Sequence, residues 1–362
     1  SECLVGSEMC IRDRNITMYQ TKILLVELDE NIGQLDFDFS SLFLQEKNTI
    51  GLIEGVSQEL LLNVFVNLKK KFFDESPYFR LLLYLLKYRK TRVVDISEEL
   101  MFSKSYSYKL ISRVRDIFHS QKIPIAINSD FESISLEGNE KYIRTYHYLV
   151  QIMAYNVFAD RQTRVNINLV GENYKTLQTT KVKHDILLSI LENSVSRGYI
   201  VQDLNRKSLE IFNIIKELYE DSSLTKLISI NNIEEKENEL SFFYFCRQLL
   251  IPETTSTKDK VFLGEKFRFL KDNEIVDFSV AVLEALSEKF HIKYDVENII
   301  LYESIINTWA YQNIYFENLS VTTNQYSHYS RINEVRNIIF NIVSSVELKI
   351  GGFYNELSHL AK

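Results

Sequence analysis

The sequence predicts a mostly α-helical protein in which winged helix-turn-helix domains come first and two all-helical bundle modules follow. Three observations predict this class. The 362 residues hold only 10 Gly and 3 Pro, so breakers are scarce and helices joined by short connections are favoured. Apolar residues recur at three- and four-residue spacing along most of the chain. In two places that period gives way to paired short strand-like pieces, as a β-hairpin requires.

The elements follow in order. Residues 1–14, SECLVGSEMCIRDR, read as a non-native leader resembling translated adapter sequence, and they are set aside. Residues 15–70 read as a partial first winged helix. NITMYQTKILLVELDENIG is a helix, SLFLQ and TIGLIEG are strand-like, and SQELLLNVFVNLKKKFF is a helix from Ser57. Helix followed by hairpin is the back half of such a domain, so its front half is expected to be missing.

Residues 71–158 read as a second winged helix-turn-helix. Pro77 opens a helix, where its fixed φ suits the first turn. Phe79, Leu81, Leu82, Leu83, Leu85 and Leu86 give that helix a wide apolar surface, which places it in the middle of a small domain. Asp95 and Glu98 have capping-box spacing for the next helix, with Ile96, Leu100 and Met101 facing inward. Ser103 suits the N-cap of a third. IPIAIN and SISLEG then alternate around SDFE as a hairpin that Gly138 ends, and a helix follows from Asn139.

The rest reads as helices from Thr179 onward. Residues 160–251 form helical module 1, with KHDILLSILENSVSRG, NRKSLEIFNIIKELYE and ENELSFFYFCRQLLI. Residues 252–260, polar and without period, are expected to be a linker. Residues 261–362 form helical module 2.

Composition excludes several classes. No run of 18 apolar residues exists to cross a membrane, and no secretory signal opens the chain, so a cytoplasmic protein is expected. Cys3, Cys10 and Cys246 have no metal or redox spacing, and the six histidines are dispersed. No phosphate loop, GxGxxG, HExxH, CxxC or GxSxG is present. No enzyme activity, catalytic residue, metal or cofactor is therefore expected.

Charge is unevenly placed. From Lys69 to Lys122 stand 13 Lys and Arg against 6 Asp and Glu, a net of +7, which leaves −14 on the rest of a chain whose total is −7. A basic segment in an acidic chain suits a DNA reader with acidic regulatory domains. That segment contains DISEELMFSKSYSYKLISRVRDIF, residues 95–118.

At 100° per residue, Leu110, Ile111, Val114, Ile117 and Phe118 share one apolar arc of the helix after Ser103, and Ser107 joins them. A small residue there permits close approach to the preceding helix. The opposite side carries Lys104, Ser105, Tyr108, Lys109 and Ser112, with Tyr106, Arg113 and Arg115 flanking it, and Lys104, Ser105, Tyr106, Tyr108, Lys109, Ser112 and Arg113 are the candidate DNA readers. Arg89, Lys90, Arg92 and Arg115 are candidates for phosphate-backbone contact, with Lys69, Lys70 and Lys71 as further cations.

A competing reading is a helical sensor that binds protein partners and uses its winged helices for docking or dimerisation. An RNA-binding antiterminator is disfavoured, because RNA readers usually present aromatics on sheets or clamp single strands in loops.

YFRLLLYLLKYRKTRVVDISEELMFSKSYSYKLISRVRDIF, then the hairpin, then LEGNEKYIRTYHYL, resembles the Mga/AtxA-type transcription regulators. Their recognition helix begins Ser-x-Ser-hydrophobic, here Ser103, Ser105 and Tyr106. A Gly-x-Glu-x-x-Ile/Val-Arg signature follows the wing, here Gly138, Glu140, Ile143 and Arg144.

The resemblance implies two winged helix-turn-helix domains, two helical domains like those of sugar phosphotransferase (PTS) regulation, and a terminal domain like a sugar-transport enzyme IIB, which is expected to be missing. It further implies a homodimer on double-stranded promoter DNA, with no membrane partner. Activity would answer to PTS phosphotransfer proteins through histidine phosphorylation. Many relatives have Gly-His after the first regulatory helix, where this chain has Gly198 and Tyr199. His184, His291 and His328 remain as candidate acceptors.

Overall fold

The computed structural model describes residues 18–35, 42–46, 49–53, 56–121, 123–130, 133–154, 164–169, 172–202, 204–219, 232–291, 298–313 and 341. They divide into two compact units, Ser1–Arg80 with Ala154–Phe158 and Leu81–Met153 with Ala159–Lys362. The expected leader lies outside the described residues.

The first unit holds α1 (Met18–Gly33), the antiparallel hairpin β1 (Phe43–Glu46) and β2 (Thr49–Leu52), and α2 (Gln58–Glu75). Ile32, Leu42, Val64 and Leu68 form its core. Ser57 caps α2 by accepting from the Leu60 amide at 3.1 Å. Lys71, one of the expected cations, is tied down: its Nζ donates to Asn31 Oδ1 at 2.8 Å.

The helix opened by Pro77 is α3 (Pro77–Tyr88), and Leu81, Leu85 and Leu86 on it are fully buried. Then come β3 (Lys90–Arg92), α4 (Val93–Leu100), α5 (Lys104–Ser120), the hairpin β4 (Ile125–Asp130) and β5 (Ser133–Gly138), and α6 (Glu140–Ala154). The hairpin is as expected, but β3 adds to it, giving an antiparallel sheet of order β3–β5–β4. Three residues were too few to read as a strand. Gly138 is required where the chain leaves the wing: a Cβ there would sit 2.9 Å from the Pro124 carbonyl oxygen.

The start of α4 differs from expectation. The capping residues are Arg92 and Asp95, not Asp95 and Glu98. Asp95 Oδ2 accepts from the Arg92 amide at 3.2 Å, so Asp95 lies inside the first turn. Strand β3 runs straight into the helix, and the start moves back with it. Met101 is also corrected: it takes a left-handed conformation at the turn and is 91% exposed.

After α6 stands an antiparallel hairpin that the sequence did not announce, β6 (Arg164–Leu169) with β7 (Glu172–Leu177). Six helices follow among the described residues: α7 (Gln178–Ser196), α8 (Arg206–Lys216), α9 (Ile233–Leu250), α10 (Thr257–Arg268), α11 (Glu274–Phe290) and α12 (Asn298–Asn313).

The stretch expected to be a linker is structured. Pro252–Thr254 form a 3-10 turn, and Ser256 with Asp259 makes a capping box that starts α10. Ser256 and Asp259 are capping residues, while Thr254 and Thr255 bond back to α9, so these polar residues follow no helical period. One core spans both sides of it. Phe212 on α8, Phe245 on α9 and Trp309 on α12 pack with ring centroids 4.3–5.0 Å apart. Trp309 Nε1 also donates to Ser208 Oγ at 2.6 Å. Gly264 lets α10 approach α12 at backbone distance, since a Cβ there would lie 1.8 Å from the Asn298 carbonyl oxygen.

Candidate nucleic-acid interface

Helix α5 is built from its cap upward. Ser103 Oγ accepts from the Tyr106 amide at 3.2 Å, filling a donor that the helix start leaves open. Ser107, Leu110, Ile111, Val114 and Phe118 are buried and form its back. Ser107 meets Ser97 of α4, hydroxyl to hydroxyl, at 3.1 Å. This is the close helix–helix corner that a small residue allows.

Ile117 is the exception in the expected apolar arc. It is 38% exposed, because it lies at the arc's edge and borders the outward surface formed by Lys109, Ser112, Arg113, Asp116 and Ser120.

All seven candidate readers, Lys104, Ser105, Tyr106, Tyr108, Lys109, Ser112 and Arg113, lie on the exposed face of α5. Tyr106 is braced by Phe102, edge to face at 5.5 Å between centroids.

The four backbone candidates fare differently. Lys90 is exposed. Arg92 is exposed but clamps Asp95, with Nη2 2.6 Å from Oδ1 and Nε 3.0 Å from Oδ2. The Arg92 side chain thereby holds the Asp95 carboxyl below its ordinary range. Arg115 points to the wing, where its Nε donates to the Ile127 carbonyl at 3.0 Å and Nη2 to Ser129 Oγ at 2.5 Å. It joins the reading helix to the hairpin and is not set out for phosphate.

Arg89 overturns its assignment outright. It is buried, with φ 60°, just after the last turn of α3. Its Nη2 lies 3.1 Å from Glu140 Oε1 on α6.

That contact belongs to a buried relay. Arg144 Nε donates to the same Glu140 oxygen at 3.0 Å. Its Nη1 reaches Glu239 Oε2 on α9 at 2.6 Å, and its Nη2 reaches Glu239 Oε1 at 2.9 Å and the Tyr199 carbonyl at 2.7 Å. Glu239 is fully buried and also accepts from the Val201 amide at 2.5 Å. Burial alone would lower the Arg144 pKa, but Glu239 and Glu140 outweigh it and hold the pKa above its ordinary value. The relay runs from the end of α3 through α6 to α9. Glu140 and Arg144 are legible as a signature, but their partner is not, because Glu239 stands 95 positions from Arg144.

The histidine candidates separate too. His184 on α7 is buried, and its pKa is pushed down to about 4, by burial first and then by Arg247. His291 is exposed and ends α11 in a left-handed conformation with φ 52°. His328 lies outside the described residues.

Helix α5 seated on α4, with a three-stranded sheet whose hairpin forms the wing, defines a winged helix-turn-helix domain, a class that binds DNA. Residues 64–151 match the family model of the Mga helix-turn-helix domain. That segment is what the chain shares with the Mga-type regulators. No curated protein matches the chain. Among the described residues no helix is long and apolar enough to cross a membrane, and no group of His, Cys, Asp and Glu is placed to hold a metal ion.

Proposed function

We propose that this protein is a transcription regulator that reads promoter DNA through α5 and is governed, through its helical region, by sugar-transport status. One observation carries the first half: a cationic, hydroxyl-bearing face on α5 is open to solvent, while the apolar back of the same helix is sealed. Lys104, Lys109 and Arg113 neutralise phosphates, with Lys90 adding a contact from β3. Ser105, Tyr106, Tyr108 and Ser112 offer hydroxyls to base edges in the major groove. A homodimer places two copies of α5 on successive turns of one DNA face, about 34 Å apart.

The Arg89–Glu140–Arg144–Glu239 relay supports the regulatory half. A rearrangement of α9 or of the turn at Tyr199 changes the partners of Arg144, and with them Glu140 and Arg89 inside the reading domain. Exposed His291 is the first candidate for phosphoryl transfer from PTS proteins. His184 is reachable only if α7 opens, and His328 belongs to the same proposal.

A mobility-shift titration with promoter duplex at two salt concentrations tests the DNA half. Binding that weakens steeply with salt is expected. No shift at low salt would leave the winged helices as protein-docking surfaces. Incubation with phosphotransfer proteins tests the other half: a label lost in His291→Ala is expected, and an unlabelled wild type removes that branch.

A further inference from the structure

Two buried arginines of the second unit are treated differently. Arg144 has a hydrogen-bond partner at every nitrogen of its guanidinium. Arg247 on α9 is 1% exposed, yet its Nη1 and Nη2 have no hydrogen-bond partner. Only Nε is used, donating to Thr254 Oγ1 at 3.3 Å. Removing a cation from water without a counter-charge costs several kcal/mol, so such a group is rarely left this way without a use.

What holds Arg247 leaves its donor edge unfilled. The guanidinium carbon stands 4.6 Å from the centre of the Tyr219 ring, which is itself stacked on Tyr244 at 4.3 Å and 9°. A cation held by its face over an aromatic ring keeps its in-plane N–H groups for another partner.

A second unpartnered nitrogen belongs to the same neighbourhood. His184 Nε2 is buried with no hydrogen-bond partner. Its ring meets Phe243 edge-on at 6.3 Å, and Phe243 lies one turn before Arg247 on α9. Consecutive residues make a second link: Lys183 Nζ reaches Glu253 at 2.5 Å while Arg247 reaches Thr254. Both contacts meet the same 3-10 turn, and Arg247 is near enough for its charge to help lower the His184 pKa.

We propose that Arg247 and His184 form a buried binding site for a small tetrahedral oxyanion of the phosphate class. Two N–H groups of the guanidinium fork take one edge of the anion, and neutral His184, with its proton on Nε2, gives a third bond from another helix. Three donors from two directions suit a tetrahedral anion better than a planar carboxylate.

The test uses the full chain at pH 7 and fixed ionic strength, with inorganic phosphate replacing chloride and the thermal midpoint as readout. Wild type should show a saturable rise of about 2–4 °C, and R247M, which keeps the volume without the charge, should show none. R247K retains the charge without the fork. It should need at least about tenfold more phosphate for half the effect, which keeps the proposal testable should R247M fail to fold. A matching rise with hexose 6-phosphate assigns a phosphomonoester, and a rise with inorganic phosphate alone assigns the free ion. No saturable rise in wild type, an equal rise in R247M, an undiminished response in R247K, or an equal rise with acetate would each overturn the site.

Discussion

Single side chains decide both the reading face and what holds it up. Lys104, Lys109 and Arg113 share the exposed side of α5. Each one that touches phosphate should, when replaced by Ala, weaken binding on most sequences and reduce the salt slope by about one unit. Fluorescence anisotropy at a series of salt concentrations measures both. Ser107 sits where only a small residue fits, fully buried against Ser97. Ser107→Leu should cost about 1–3 kcal/mol in chemical unfolding through overpacking, and DNA affinity should fall with the displaced corner. An unchanged unfolding midpoint would show that the two helices are not in contact there.

The buried histidines belong to the same scale. His184 is held near pH 4 and His147 near pH 3, both mainly by burial, against an ordinary value of 6.5. The unfolded chain therefore binds protons that the folded chain refuses. Stability is full above about pH 6.5 and falls as pH drops toward 4. The thermal midpoint should decline across that window, and less steeply in His184→Gln.

Elements were legible where local signals act alone. The scarcity of breakers, Ser103 as a cap, and the apolar stripe of α5 were readable because each depends on residues within one or two turns. Ser103→Ala should lower stability by about 1 kcal/mol, seen as an earlier unfolding midpoint. What failed depended on partners distant in sequence. Arg89 reads as a surface cation, and only the fold brings Glu140 to it from 51 positions away. Arg115 has the letters of a phosphate contact, and the folded wing claims it. β3 is three residues long and exists because β5 lies beside it. Residues 252–260 looked like a linker because capping residues are polar, a local rule that mimics disorder.

At the scale of the whole molecule, the relay ties the reading domain to the helical core, and its burial makes it costly to break. Glu239→Gln removes the charge that faces Arg144 on α9 and should cost about 3–5 kcal/mol in chemical denaturation. If the regulatory proposal holds, the same variant also changes DNA affinity although Glu239 lies on α9, outside the winged helix. Lost stability with unchanged affinity in the folded fraction would make the relay a structural tie only. The core shared by α8, α9 and α12 runs across 252–260, which the sequence does not reveal, because hydrophobic periodicity reports which face of a helix is buried, not which helix it meets.

The central claim is that α5 presents its cationic, hydroxyl-bearing face to a DNA duplex. The most direct measurement is an anisotropy titration of promoter duplex with wild type and with a K104A/K109A/R113A triple variant, at two salt concentrations. The account predicts that the triple variant binds far more weakly at low salt and that its slope against log salt is shallower by about three units. Equal affinity and equal slope in the two proteins would contradict it.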